Sequence, residues 1–221
     1  MIFFTKQSLA ITILLSFLSF KSQAQILIVD DTLNLKKGVY RSFKEFKYNS
    51  PSILDSFTIT TEQKKIIKSI SESTESNTHT IYHILLPEPY SESDDVWGFC
   101  DGKHVYINTR QIYHPDGIFE KIDYLGRYCL FFQWMPNAAG SPAAAKQINP
   151  KTNGYLSKRI VNINNGQIYN PDGPNHADLI TILSTDKGIY DSYKADKDKN
   201  AKTFYYLKVY SEKHKAEIKR P

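Results

Sequence analysis

Apolar and polar residues change rhythm along this chain. A largely apolar run, Leu9 to Phe20, comes first. A long stretch of mainly strand-like alternation follows, and beyond Gly173 the apolar spacing lengthens to nearly four, the period of a helix. Within the middle stretch, "GVYRSFKEFKYNSPS" begins as a short strand. Ser42 then stands three residues before Glu45, the spacing of a capping box, and Phe43 and Phe46 share one helical face until Asn49-Ser50-Pro51 ends the turn. "SILDSFTIT" alternates as a strand, "TEQKKIIKSI" reads as a short helix with Ile66, Ile67 and Ile70 inward, and "HTIYHILL" is a strand closed by Pro87 and Pro89.

"VWGFCDGKHVYIN" predicts a β-hairpin, with Val96 to Cys100 and Lys103 to Asn108 joined at Asp101-Gly102 in a type I′ turn. Strand material from Tyr124 or Gly126 to Trp134 extends it into a meander. Its apolar run Leu130 to Trp134 suits a central strand covered on both faces. "KRIVNINNGQIYN" repeats the hairpin device at Asn165-Gly166. "HADLITIL" and the stretch from Asp186 to Arg220 then predict helices, the last of them long and Lys-rich outside, with Ile189, Tyr193, Phe204, Leu207 and Tyr210 inward. The fold class is α+β: antiparallel hairpins and a meander packed with a short N-terminal helix and C-terminal helices. We expect one domain from residue 25 to 221, with a Pro- and Ala-rich flexible loop at 136–155 and a helical part at 176–221.

The middle stretch also repeats itself. Val105 to Gly117 and Val161 to Gly173 agree at nine of thirteen positions, each ending in x-Pro-Asp-Gly. Proline at the first corner, aspartate at the second and glycine at a positive-φ exit spell a turn for backbone reasons. With no third copy the repeat is not a solenoid, and neither copy carries the several carboxylates that a calcium loop uses.

The opening run follows Lys6 and precedes Ser22-Gln23-Ala24, the pattern of a cleavable secretory signal over residues 1–24, with a retained anchor as the rival reading. No transmembrane segment is expected after cleavage. The chain has 28 Lys or Arg against 23 Asp or Glu, and Lys6 and Lys21 belong to the leader, so the balance is too slight for a nucleic-acid binder. The excess lies from Lys194 onward, where nine Lys or Arg face four Asp or Glu. Cys100 and Cys129 both fall in strand-like stretches; in an oxidising compartment they either pair as a disulfide or lie apart as buried thiols.

Catalytic constellations are sparse. No nucleophile elbow, phosphate-cradling loop or dinucleotide fingerprint is present, and no cofactor is expected. His79 and His83 have helical ligand spacing but stand in a predicted strand, so no metal site is expected. His104 and His114 are placed to meet Asp94, Asp95 or Asp101 as an acid/base pair. Fifteen tyrosines, twelve phenylalanines and two tryptophans are mostly core material. Tyr113 and Tyr169, beside turns, are the aromatic candidates for contact with a partner.

The motifs "GVYRSFKEFKYNSPS", "WGFCDGKHVYIN", "YLGRYCLF" and "IVNINNGQIY", followed by a Lys-rich helical tail, resemble a domain-of-unknown-function family of secreted Bacteroidota proteins. The resemblance runs from about Gly38 to His214. It implies an envelope or extracellular location and carries no catalytic or binding residues. The expectation is therefore an exported protein, periplasmic or extracellular, acting as a non-catalytic binding module of the cell envelope, with Tyr113, Tyr169, His104 and His114 as candidate contact residues. Its partner would be an envelope protein or a glycan. The alternatives are a small secreted hydrolase using a His/Asp pair and a surface polyanion or glycan binder.

Overall fold

The computed structural model describes residues 26–30, 32–54, 57–66, 77–88, 90, 96–109, 117–136 and 153–216. The leader, Asp94, Asp95, Tyr113, His114, Asp116 and most of the 136–155 stretch lie outside the described residues. Among the described residues nine strands form one sheet: β1 Gly38–Tyr40, β2 Thr58–Ile66, β3 Asn77–Leu85, β4 Gly98–Cys100, β5 Val105–Asn108, β6 Phe119–Tyr124, β7 Tyr128–Pro136, β8 Asn153–Asn162 and β9 Ile168–Tyr169. The helices are α1 Phe43–Lys47, α2 Ala177–Leu183, α3 Lys187–Ala195 and α4 Thr203–Lys213.

The spatial order is β1-β4-β5-β6-β3-β2-β8-β7, with β9 beside β8 and a further pairing of β6 with β7. The strands β6, β3, β2, β8 and β7 therefore close a ring, from which β5, β4 and β1 extend. Every pairing is antiparallel except β2 with β8, which runs parallel through Lys65↔Asn153 and Ile66↔Gly154.

Alternation along β7 explains why Tyr128 to Phe132 is apolar without a break. Cys129 and Phe131 enter a core with Phe46 of α1, Trp97, Ile107 and Val161. Tyr128 and Leu130 enter a second core with Leu179, Leu183, Tyr193, Leu207 and Tyr210 from the C-terminal helices. Ser42 caps α1 as its spacing predicts, its Oγ accepting from Glu45 N at 3.2 Å, while Glu45 Oε2 accepts from Arg41 N at 2.7 Å. Among the described residues no helix is long and apolar enough to cross a membrane.

Several expectations are corrected. "TEQKKI" is not helical: it belongs to β2, whose nine residues all pair with β3, and that ladder outweighs a weak helical pattern. Ile67 and Ile70 lie outside the described residues. The hairpins at Asp101-Gly102 and Asn165-Gly166 exist, but neither turn is type I′. Cys100 pairs with Val105 across a four-residue loop, and only Gly102 and Gly166 of the two Asx-Gly pairs take positive φ. Asn162 closes its loop by accepting, at its carbonyl, from Gly166 N at 2.7 Å. A side chain on Gly166 would collide with the Phe43 ring of α1, so this turn must be glycine for packing as well as for φ.

Gly173 leaves its turn at φ −61, not at positive φ. The two copies of the repeat also fold differently: Ile107-Asn108 lies within β5, whereas Ile163-Asn164 is already in the loop after β8. The long C-terminal helix is broken at Asp196–Lys202, where Asp196 accepts from Asp198 N and from Lys202 Nζ. Cys100 and Cys129 are free, buried thiols. Strands β5 and β6 separate them in the sheet, and three interstrand steps of ~4.8 Å exceed the ~7 Å that a disulfide allows between Cα atoms.

Candidate functional site

Strand β6 carries a carboxylate where alternation calls for an apolar residue. Glu120 stands between Ile118 and Ile122 on the buried side and is fully buried itself. The sheet topology supplies the reason. Strand β7 pairs with β6 at Tyr124↔Leu130 and Ile122↔Phe131, then departs; at Phe119 the neighbour is Tyr82 of β3 instead. Glu120 sits at this parting. Its Oε1 accepts the Trp134 backbone N–H at 2.7 Å, taking the place of a strand partner, and its Oε2 lies 2.7 Å from His79 Nε2.

Both carboxylate oxygens are thus committed. Burial raises the carboxyl's pKa, while the His79 hydrogen bond and charge and the Trp134 N–H pull the other way. When Glu120 is ionised, the proton of the pair belongs on His79 Nε2, which leaves Nδ1 as the ring nitrogen free for other work.

Beyond Tyr82↔Phe119 no further β3 to β6 pair forms. Around the opening lies a cleft of about 300 Å³ lined by Thr78, His79, Thr80 and Tyr82 from β3, Lys121 and Asp123 from β6, and Phe132 from β7. The lining mixes an imidazole, hydroxyls, one cation and one anion with two aromatic rings. Tyr82 packs against Tyr106 with ring centroids 4.6 Å apart and the planes tilted by 59°, and partial burial, then the Glu120 charge, raises its phenol pKa. On the face that His79 shares, Lys64 is buried beside Glu62 and lies 5.1 Å over the Trp134 ring.

His83 is drawn to Glu62 at 3.7 Å, away from His79. Among the described residues no group of three His, Cys, Asp or Glu side chains stands ready to hold a metal.

The residues singled out from the sequence fall elsewhere. His104 does meet Asp101, with Nδ1 at 3.3 Å from Oδ2, but on an exposed turn. Asp101 is occupied with that turn: Oδ1 accepts from Lys103 N and His104 N at 2.7 Å each, and Oδ2 accepts from Tyr106 OH at 3.0 Å. Partial burial opposes its ionisation, yet these donors together hold its carboxyl below the ordinary value. Tyr169 is half-buried in β9, edge-on to Tyr128, with its hydroxyl donating to Gln167 Oε1 at 2.9 Å. Tyr113 and His114 are outside the described residues.

Neither thiol is a nucleophile in waiting: burial pushes Cys129 up to about 12 and Cys100 upward as well. The residues that sequence reasoning missed are Glu120, Lys121 and Tyr82, together with the role of His79. One signal was available, a glutamate at an inward position of "IFEKI".

A third pairing lies in the C-terminal helices. Asp186 caps α3, its Oδ1 accepting from Ile189 N at 3.1 Å. Its Oδ2 binds Lys213 Nζ at 2.6 Å and His214 Nε2 at 2.7 Å at the end of α4.

Comparison with known families gives one finding: the model of a family of unknown function, DUF6563, matches residues 38–214. No curated protein and no solved structure matches the chain.

Proposed function

We infer the role of this chain from its own cleft, because the chain belongs to the DUF6563 family, whose function is unknown. The reading is an exported ligand-binding module of the cell envelope that takes a small polar molecule, such as one sugar unit of an envelope glycan, over His79. The observation that carries it is the buried Glu120, which fixes one ring nitrogen of His79, a residue at the edge of a polar cleft.

A residue held in this way is pre-organised, so little ordering cost falls on the binding step. Hydroxyls of Thr78 and Tyr82, Lys121 and Asp123 supply donors and acceptors suited to a polyhydroxylated ligand, and Phe132 supplies an apolar wall. Export rests on the leader-like residues 1–24.

The test is titration of the mature chain with monosaccharides and envelope glycan fragments, followed by calorimetry and by amide shifts of residues 78–82 and 119–123. Saturable binding that His79→Ala weakens at least tenfold supports the reading. Binding that His79→Ala leaves intact, or no binding at all, overturns it.

The same pair favours one second reading. A carboxylate-held imidazole is the arrangement of a general base, and hydrolysis would need only a water at His79 Nδ1. Turnover of an ester or glycoside substrate that disappears in His79→Ala would move the protein to that class.

A further inference from the structure

The ladder between β7 and β8 places Phe131 opposite Arg159, Gln133 opposite Ser157 and Met135 opposite Tyr155, so these six side chains share one face of the sheet. Arg159 is only 8% exposed and Gln133 is fully buried. The guanidinium is held but not neutralised. Its Nε donates to Gln133 Oε1 at 2.9 Å, and its Nη1 donates to Ser157 Oγ and to the Lys158 carbonyl. All three acceptors are neutral. Among the described residues no carboxylate forms an ion pair with Arg159; Asp172 is close enough for its charge to favour the guanidinium but binds Lys158 and accepts from Thr203.

The Gln133 amide is fixed by the same contact. With Oε1 spent on Arg159, its Nε2 is buried without a hydrogen-bond partner. A buried cation without a direct ion pair and a buried amide donor without an acceptor are each costly, and native interiors rarely keep either unless something answers it. Here the two lie on directly bonded side chains, so one acceptor group answers both. Arg159 Nη2 and Gln133 Nε2 are the donors left over. Tyr155, on the same face and 47% exposed, marks the outer end of this row. Burial lowers the Arg159 pKa, partly offset by Tyr155 and Asp172, and an anion beside the guanidinium would offset it further.

We propose that Arg159, Gln133 and Ser157 form an oxyanion-binding recess that takes a carboxylate, phosphate or sulfate group, held by Arg159 Nη2 and Gln133 Nε2. The guanidinium and the planar amide present N–H groups in the fork-like arrangement suited to such oxygens. The recess is separate from the His79 cleft in the residues that form it, and it does not rest on the function proposed above.

The probes are sodium acetate, inorganic phosphate and sulfate at low millimolar concentration, with sodium chloride at matched ionic strength as control. Two readouts are taken on the mature chain: thermal midpoint, and the NMR signals of Arg159 Nε–H and the Gln133 side-chain NH₂. A ligand that binds only the folded state raises the midpoint in a saturable way. The expected result is such a rise with at least one oxyanion and not with chloride, together with shifts of both side-chain signals. In Gln133→Met, which keeps the volume but removes the amide, apparent affinity should fall at least fivefold.

Equal effects of chloride, a rise that Gln133→Met leaves unchanged, or side-chain signals that do not move with any oxyanion would each overturn the proposal and leave a bound water as the partner of Gln133. If Gln133→Met does not fold, the side-chain signals of the unmodified chain decide the matter alone.

Discussion

Two of the histidine–carboxylate pairs, His104 with Asp101 and His79 with Glu120, differ in their surroundings. His104 and Asp101 are three residues apart on an exposed turn, where the carboxylate serves two backbone N–H groups and a tyrosine hydroxyl before it meets the ring. His79 and Glu120 come from different strands, and the carboxylate is enclosed, shared only with the Trp134 N–H, and set against a cleft. The first pair shapes a loop. The second holds an imidazole in one orientation at the edge of a cleft. Proximity of a base and an acid in sequence is therefore a poor guide to function; the number of other duties the acid has is a better one.

The contrast can be broken by mutation, starting where the effect should be largest. Glu120→Ala leaves the Trp134 N–H and the His79 ring without their partner inside the sheet. It should cost about 3 kcal/mol, read as a lowered denaturant midpoint at unchanged slope.

Asp186, the third histidine partner, should show the opposite pH behaviour to Glu120. Lys213, His214 and the Ile189 N–H hold its carboxyl far below the ordinary range. A depressed carboxylate contributes stability above its unfolded pKa of about 3.9 and loses it as pH falls. Asp186→Asn should therefore weaken the chain at neutral pH and flatten its acid unfolding curve in circular dichroism.

Asp101→Ala removes the acceptor of two turn N–H groups that water can partly replace, and a loss of about 1 kcal/mol is expected. Glu120→Gln keeps the shape and the Trp134 bond while removing a buried charge. The raised pKa of Glu120 means that its carboxyl favours the folded state below the unfolded value of about 4.3, an advantage lost as pH rises through the folded value. The glutamine variant should accordingly gain on the parent as pH rises from about 4.3 to neutrality, in paired thermal melts. Smallest of all, His104→Ala should change stability by less than about 0.5 kcal/mol, as exposed substitutions do. A loss as large as that of Glu120→Ala would erase the distinction between the two pairs.

Much of the architecture was legible in local patterns. Both hairpins, the capped Phe43 helix, the central strand at Leu130 and the helical period after Gly173 each depend on residues within a few positions of one another. What escaped depends on distant partners. The "TEQKKI" segment is a strand because β3 lies beside it, and the choice left open between a disulfide and two buried thiols falls to the thiols because two strands lie between Cys100 and Cys129. The repeat misled in a related way: the same letters are strand in one copy and loop in the other, because the ladder each copy joins decides where its strand ends. The cleft escaped for the same reason, since His79 and Glu120 are joined by a sheet order that no local spacing encodes. Glu120 alone left a trace, as a charge on an inward face.

The closed ring of strands also bears on how the chain reaches this state. The β2–β3 hairpin carries its own ladder and can assemble from neighbouring residues, but it is fastened to the rest by one backbone pair at Phe119 and two at the start of β8. Those fastenings join segments far apart in the sequence, so the entropy of closing long loops must be spent before they form. Docking of that hairpin is therefore expected late in folding, and the cleft at His79 exists only once it has docked.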